Sequence, residues 1–296
     1  MIVIVTRLPG HTVDNMKHFL YLSLLALLGL VGARAQVVVE VTLEQTEFLP
    51  GEALPATVRI INRSGRALHL GADADWLTFA VQARDGSVVR KNGAVPVVGA
   101  FRLENAEVGS KTVDLAPHFL LTRPGRYNVS AAVRLKDWSS TALSPPKNFD
   151  VIEGTKIWSQ EFGVPSATHS NQPPEVRVYS LLQANYLRSE LRLYFSLTDA
   201  AGTKVLKVAP LGRIVSFGQP QAEVDRESRL HVLHQNGAHT SLHTVMSPEG
   251  EIVFRHHYEY TQVRPRLVVN NEGKIVVGNG VRRLDKNDLP PLKTAE

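Results

Sequence analysis

The sequence predicts an all-β protein, because apolar and polar residues alternate with a period of two at several places and turn-forming residues separate those places. The odd-numbered positions of residues 37–43 are all apolar, and the same alternation runs through 77–81 and 127–135. Turn sequences follow such runs, as at 49–51 (Leu-Pro-Gly) and 85–86 (Asp-Gly). Many short strands with closely spaced turns favour antiparallel sandwiches or barrels over a parallel sheet with helical crossovers.

The N-terminus has the layout of a secretory signal peptide, which we assign to residues 1–35 together with a short upstream extension. A basic start, Met16-Lys17-His18, precedes a mainly apolar run over 19–31, and Ala33-Arg34-Ala35 follows as a cleavage site. The run is shorter than the roughly 20 residues that span a membrane. We therefore expect cleavage after Ala35 and a secreted or periplasmic protein that meets the membrane only through this leader, with Met1 or Met16 as the start.

Charge and cysteine content exclude several classes of function. The formal net charge of +5 falls to about +3 when the leader is removed, and adjacent Lys/Arg residues in the remainder are limited to the pairs Arg90-Lys91 and Arg282-Arg283. Such a balance gives no electrostatic footprint for nucleic acid. The absence of cysteine excludes disulfides, thiolate metal sites and a cysteine nucleophile.

Residues 36–153 have the length of one sandwich domain, and several short sequence segments within them resemble segments of immunoglobulin-like domains. The segment 123–131 (RPGRYNVSA) is a Pro-Gly turn that leads into an alternating strand beginning near Tyr127. The segment 48–52 (FLPGE) resembles the opening of macroglobulin-type domains, and 77–89 resembles the BsuPI-type proteinase-inhibitor family. The resemblance implies an immunoglobulin-like antiparallel sandwich in which Tyr127 hydrogen-bonds back across a corner.

The composition of residues 154–175 predicts a linker, and that of residues 285–296 predicts a disordered tail. Glycine and proline recur in the first segment, and its stretch 166–172 (SATHSNQ) is polar. We expect the intervening residues 176–284 to form a second β domain.

This second domain contains a weak internal repeat, which predicts a β-meander of two four-stranded, propeller-like units at 191–237 and 240–281. Turn sequences match at 199–202 and 247–250, and again at 225–228 and 270–273. Pro220 and Pro265 precede the second pair of turns at the same spacing. Closed propellers typically have 4–8 blades, so a two-blade fragment, two packed sheets or part of an oligomeric ring all remain open.

Motif searches predict no catalytic residue, no cofactor-binding residue and no metal ligand. The strings G-x-S-x-G, H-E-x-x-H, G-x-G-x-x-G and the P-loop are absent from the sequence. Six histidines are concentrated near the C-terminus, but residues three apart on a strand point to opposite faces, so packing or surface roles are favoured over a metal site. They are His231, His234, His239, His243, His256 and His257. Trp76, Trp138 and Trp158 are read as core residues rather than as an aromatic platform.

The sequence therefore predicts a secreted, non-enzymatic binding protein whose partner is a protein, an envelope component or a glycan. Loops on a rigid β scaffold are the usual place for such binding. Two alternatives stay open. One is a hydrolase or lyase completed by oligomerisation of the propeller-like half, and the other is a protease inhibitor, as the BsuPI-like resemblance implies.

Overall fold

The computed structural model describes residues 37–164, 175–285 and 288–289, and within them it confirms the all-β class: the chain forms strands, turns and two short 3-10 segments. The predicted signal peptide and its cleavage after Ala35 lie outside the described residues. The strands of the first unit are β1 (Val37–Leu43), β2 (Glu47–Phe48), β3 (Pro55–Asn62), β4 (Leu68–Leu70), β5 (Leu77–Ala83), β6 (Phe101–Leu103), β7 (Val108–Asp114), β8 (Gly125–Leu135), β9 (Ser140–Leu143) and β10 (Lys147–Val151).

The first unit is a sandwich of two layers around one core, and its strands pair antiparallel except for the short edge strand β2, which pairs in parallel with β10. One sheet has the order β1-β3-β7. The other has the order β2-β10-β8-β5, and β9 also pairs with β8. The period-two pattern sets this packing: Ala56, Val58 and Ile60 of β3 are fully buried, as are alternate residues of β8. Burying each aliphatic side chain of this size contributes about 1.5–3 kcal/mol.

Two aromatic residues close the ends of this sandwich. The Tyr127 hydroxyl donates a 2.7 Å hydrogen bond to the Arg123 carbonyl at the start of β8, and its ring stacks on Phe149 of β10. The indole N–H of Trp76 donates to the Val97 carbonyl at 2.9 Å in the buried core. Trp76 is therefore a core residue, as the sequence predicts.

The strands of the second unit are β11 (Thr155–Gly163), β12 (Val176–Tyr186), β13 (Glu190–Asp199), β14 (Val205–Arg213), β15 (Gln221–Val224), β16 (Leu230–Gln235), β17 (Thr240–Met246), β18 (Ile252–Glu259), β19 (Arg266–Val269), β20 (Ile275–Gly278) and β21 (Val281–Arg283). They form a four-stranded sheet in the order β11-β12-β13-β14 and a sheet in the order β15-β16-β17-β18-β21. The hairpin β19-β20 completes the unit. A core that includes Leu193, Leu197 and Val232 joins the two larger sheets.

The linker predicted at 154–175 is wrong for its first part, because residues 155–163 form the edge strand β11 of the second unit. Most side chains of an edge strand that packs on one side only are exposed, so β11 has the polar composition of a linker. Trp158 and Phe162 lie on this strand and pack in the core of the second unit, not beside the first domain. Residues 165–174 lie outside the described part of the chain.

The internal repeat recurs in the structure as matched hairpins. Pro220 and Pro265 directly precede the matching strands β15 and β19, and the paired turns 225–228 and 270–273 both join antiparallel strands. The sequence units 191–237 and 240–281 nevertheless lie out of frame with the sheets. The sequence unit 191–237 joins β13 and β14 of one sheet to β15 and β16 of the next, and the sequence unit 240–281 joins β17 and β18 to the separate hairpin β19-β20. Similarity between turns identifies hairpins and not which hairpins pair edge to edge.

The two units share a small apolar contact. Leu49 of the first unit packs with Ala184, Tyr194 and Val208 of the second. Gly51 lies beside it with φ of +81°, and a Cβ there would approach the Val205 Cγ1 atom to 2.8 Å. The sandwich and the second unit are therefore fitted to each other through the 49–52 turn.

The disordered tail predicted at 285–296 is wrong at the residues that the structure describes there. Leu289 bridges to Arg255 on β18, and the Asp288 carboxylate accepts hydrogen bonds from the backbone and ring of His257.

No helix in the described ranges is long and apolar enough to cross a membrane.

Candidate functional site

The histidine-rich segment forms the centre of the second sheet, and the pleat separates its rings onto two faces. His231 lies diagonally from His243 on one face, and His243 lies directly opposite His256. His234 and His257 point to the other face, which packs on the first sheet of the unit. The prediction that His231 and His234, and likewise His256 and His257, point apart is thus confirmed.

A carboxylate and two imidazoles form a hydrogen-bonded row on the first face. His231 Nδ1 lies 3.2 Å from His243 Nε2, and His231 Nε2 lies 3.1 Å from the Asp225 carboxylate. Asp225 also accepts from the backbone and side chain of Arg229. The 225–229 turn brings this acid to the strand, a contact that spacing along the chain does not reveal.

Burial keeps these histidines neutral. Burial, together with the neighbouring histidines His231 and His256, lowers the pKa of His243 to about 3. Burial also lowers the pKa of His231, although Asp225 opposes that effect. Burial alone would raise the pKa of Asp225, but its hydrogen bonds from Arg229 and His231 outweigh that effect and lower it.

The second face holds further buried polar groups. Neither ring nitrogen of His234 has a hydrogen-bond partner among the described residues, and burial lowers the pKa of this residue to about 4. Thr244 lies opposite Arg255, whose Nη2 donates to the Pro210 carbonyl at 3.2 Å. The Arg255 guanidinium has no carboxylate partner in the described ranges, and burial lowers its pKa.

The row of Asp225, His231 and His243 has the carboxylate-oriented imidazole of a hydrolase but not its nucleophile. Within the described ranges, no Ser or Thr hydroxyl hydrogen-bonds to His243, which packs against Phe254 instead. Nor do those ranges contain three or more His, Cys, Asp or Glu side chains placed to hold a metal ion. The row therefore positions its own rings within the sheet through the contacts with Asp225 and Phe254.

The clefts of the second unit lie at one end, where connecting segments rather than hairpin turns join most of its strands. We call this the loop end and define it by residues 214–220, 236–239, 260–265 and 279–280. A cleft of about 520 Å³, which we call the first cleft, opens there. It is lined by His239, Thr240, Glu259, Tyr260, Thr261, Gln262, Val263, Asn279, Val281 and Arg283.

The first cleft combines one aromatic ring with polar groups that have no partner in the described chain. The side chains of Thr240, Thr261, Gln262 and Asn279 make no hydrogen bond to described residues, so their hydroxyl and amide groups are free for a ligand. Tyr260 packs edge-on against His239, and Arg283 pairs with Glu259 at 2.9 Å.

A smaller second cleft of about 130 Å³ adjoins the first. Its lining includes Gln219, Gln235, Ser241 and Arg264. Gln235 Nε2 donates to the Tyr260 hydroxyl at 3.0 Å, and this bond lies between the two clefts. Because Gln235 lines the second cleft and Tyr260 lines the first, this bond connects the walls of the two clefts.

The sequence motifs predict no site residue, and they do not point to the loop end. The residues that line these clefts are scattered over more than 60 positions between Gly218 and Arg283 and belong to no motif. One sequence feature does point to the loop end. The internal repeat locates the hairpin turns at one end of the unit, so the segments that connect successive hairpins must lie at the other end. Trp76, Trp138 and Trp158 line neither cleft.

Comparisons with known proteins identify no family for the chain. No family model matches it, and no curated protein sequence matches it. Among solved structures, it is similar to Spo0M, a sporulation control protein from Bacillus subtilis, with 11% identity over 60% of this chain and 91% of that chain. The TM-score of 0.29 is too low for this similarity to carry a conclusion.

Proposed function

We propose that the protein is an exported, non-catalytic glycan-binding protein that holds its ligand across the two clefts of the loop end. The observation that carries the proposal is the pair of adjoining clefts on either side of the bond between Gln235 and Tyr260. Export rests on the signal-peptide pattern that ends at Ala35.

The shape and lining of the clefts favour a glycan over a folded protein. Stable protein–protein interfaces bury about 800 Å² on each partner around an apolar, aromatic-rich centre. The loop end instead offers concave sites whose free groups are amides and hydroxyls, as at Thr261, Gln262 and Asn279. Such groups suit a chain of hydroxyl-rich units, and the Tyr260 ring provides an apolar face for a sugar ring.

The arrangement of the histidine row supports a non-catalytic role. His243 is the end of that row, and its neighbours are Phe254 and His256 rather than a hydroxyl nucleophile. The row also lies on strands β16 and β17, away from the free amides of the first cleft. The hydrolase alternative thus has no observation in its favour.

We infer that the first unit is an immunoglobulin-like scaffold for the second. Its two-layer order and the hydrogen bond from Tyr127 to Arg123 support this assignment. The protease-inhibitor alternative requires an exposed loop complementary to a protease. Among the loops of the first unit, the one at 49–52 is partly buried by the second unit and is not available for this role.

Binding to polysaccharides tests this function. The purified protein is titrated by calorimetry with dextran, xylan and polygalacturonate, and binding to at least one of them is expected. Combined Tyr260→Ala and Asn279→Ala changes should abolish it, whereas Leu143→Ala, at an exposed site on the first unit, should not. Failure to bind any of the three, or equal binding by both variants, would contradict the proposal.

A further inference from the structure

The loop end carries unpaired positive charge, whereas Glu259, the acidic residue that ends β18 beside residues 260–265, is already paired with Arg283. Its four segments contain no Asp or Glu. Arg264 lies within one of them, while Arg213 and Arg266 stand at the strand ends beside them, and all three side chains are exposed. None of the three has an ion-pair partner in the described ranges.

The opposite end of the same unit has a different charge. We call it the turn end and define it by the hairpin turns 200–204, 225–229, 247–251 and 270–274. The Tyr179 hydroxyl lies within hydrogen-bond distance of both the Ser228 and Ser247 carbonyls, which shows that the second and third of these turns lie together. Its four turns hold slightly more acidic than basic residues: Asp225, Glu227, Glu249, Glu251 and Glu272 against Lys204, Arg226, Arg229 and Lys274.

The positive charge of the loop end borders the second cleft. Arg264 lines that cleft and lies 5.9 Å from the ring centroid of Phe217, a ring that is 68% exposed. Arg266 is two residues further along an extended chain, so the buried Pro265 between them leaves both arginines on one face. Arg213 ends β14, where the neighbouring Val215 N–H donates to the Gln235 carbonyl at the same cleft.

We propose that the ligand of the loop end is an acidic polysaccharide, whose anionic groups pair with Arg213, Arg264 and Arg266 while its hydroxyls occupy the amide-lined first cleft. This inference rests on the proposed function and adds the ligand class. A guanidinium presents a planar fork of N–H donors that matches a carboxylate or sulfate through two parallel hydrogen bonds. An unpaired arginine beside a cleft attracts such a group over about a Debye length.

Single-stranded nucleic acid is the other polyanion that such a surface suggests, and the lining of the clefts favours it less. Proteins that bind single strands stack successive bases on exposed aromatic rings along the groove. At the loop end the two exposed rings are not arranged as such a row: His239 packs edge-on against Tyr260, and Phe217 lies apart from them beside Arg264. The predicted export also places the protein outside the cell.

Titrations with polymers of matched backbone test the ligand class. Calorimetry with dextran, dextran sulfate and polygalacturonate compares neutral, sulfated and uronate chains, and the oligonucleotide (dT)20 serves as the nucleic acid. We expect binding to one or both acidic polysaccharides to exceed binding to dextran at least tenfold and to weaken as NaCl rises from about 0.05 to 0.5 M. The stronger of the two acidic polymers identifies carboxylate or sulfate as the group recognised.

Two triple variants of equal charge separate a local effect from an effect of net charge. Changing Arg213, Arg264 and Arg266 to Gln should weaken binding by roughly tenfold to a hundredfold, as expected for three exposed charge contacts. Changing Lys204, Arg226 and Lys274 of the turn end to Gln removes the same charge and should leave binding unchanged. Melting temperatures confirm that both variants fold.

The outcomes distinguish the inference from the function beneath it. Binding to dextran as tight as to the acidic polymers, with loss in the Tyr260 and Asn279 variant, would overturn the acidic ligand and leave glycan binding standing. Binding to (dT)20 tighter than to either acidic polymer would overturn the ligand class in favour of nucleic acid. Equal losses of affinity in the two triple variants would show that binding depends on net charge alone and would overturn the role of the loop-end arginines. Binding to none of the polysaccharides would contradict both the acidic ligand and the glycan-binding function.

Discussion

His231 and His243, on neighbouring strands, share a 3.2 Å contact between Nδ1 of the first ring and Nε2 of the second. Because Asp225 accepts from His231 Nε2, the Nδ1 atom of neutral His231 carries a lone pair. His243 must then donate its Nε2 proton to that lone pair. The carboxylate thus fixes the tautomer of both rings, and a second proton on His243 has no favourable place in this row.

The first prediction is that acid destabilises the protein through these buried rings. Unfolded histidine takes up a proton near pH 6.5, whereas folding lowers the pKa of His243 to about 3. The stability contributed by neutral His243 is therefore complete above pH 6.5 and is lost as the pH falls toward 3. Urea unfolding at pH 7 and 4.5 should show a loss on the order of 2 kcal/mol from this residue.

A His243→Gln variant isolates that contribution, because Gln keeps an N–H donor toward His231 but does not titrate. Its unfolding free energy should fall less steeply than that of the native protein between pH 7 and 4.5. His69→Gln is the control, since the side chain of His69 is 66% exposed. Equal slopes for the native protein and the His243→Gln variant would contradict the prediction.

The second prediction concerns the corner of the sandwich. Tyr127→Phe removes the 2.7 Å hydrogen bond to the Arg123 carbonyl but keeps the ring stacked on Phe149. We expect a loss of about 1–2 kcal/mol of unfolding free energy, because the carbonyl then lacks its partner. Tyr186→Phe is the matched control: its hydroxyl has no hydrogen-bond partner in the described ranges, and its ring stays over Arg192. A loss for Tyr186→Phe as large as that for Tyr127→Phe would argue against a specific corner bond.

The third prediction measures how tightly the two units fit. Gly51 and Gly65 both have φ of +81°, so Ala at either position costs a similar strain of about 1–2 kcal/mol. Only at Gly51 would the new Cβ meet another unit, 2.8 Å from Val205 Cγ1, whereas nothing lies within 4 Å of a Cβ at Gly65. Gly51→Ala should therefore cost about 1–3 kcal/mol more in chemical denaturation. Equal losses at the two glycines would show that the contact between the units is loose.

Patterns within short stretches of sequence predict many strands and turns of the fold, but they do not predict which distant strands pair with each other. The alternation at 127–135 became β8, and Pro220 and Pro265 precede matching strands, because both signals are set by neighbouring residues. The sequence of β11 resembles a linker because most of its side chains are exposed and polar. The strand is instead held by hydrogen bonds to β12, which local composition does not reveal. Asp288 was read as tail for the same reason: its partner, His257, is 31 residues away.

The candidate site was harder to predict than the fold, since its residues are related by topology alone. The sequence leaves open whether facing strands bring His231 and His243 near each other, and the structure places them in contact. Asp225 joins them only because the 225–229 turn folds back over β16. The loop end brings together Gln235, Tyr260 and Asn279 from three connections, and no regular spacing marks such a set.

The last prediction is that zinc does not stabilise the folded protein through the histidine row. Both nitrogens of His231 are engaged, with Asp225 and His243, so a metal ion would have to break one of these bonds to bind there. A site that binds only the folded state adds about 2.7 kcal/mol at a ligand concentration 100 times the dissociation constant. At roughly 2–4 °C per kcal/mol for a chain of this size, that would raise the melting temperature by roughly 5–10 °C. Thermal unfolding with and without ZnCl₂ should therefore coincide. A rise that His243→Gln abolishes and His69→Gln preserves would show that the row binds zinc, whereas a rise that only His239→Gln abolishes would place the metal at the exposed ring of the first cleft.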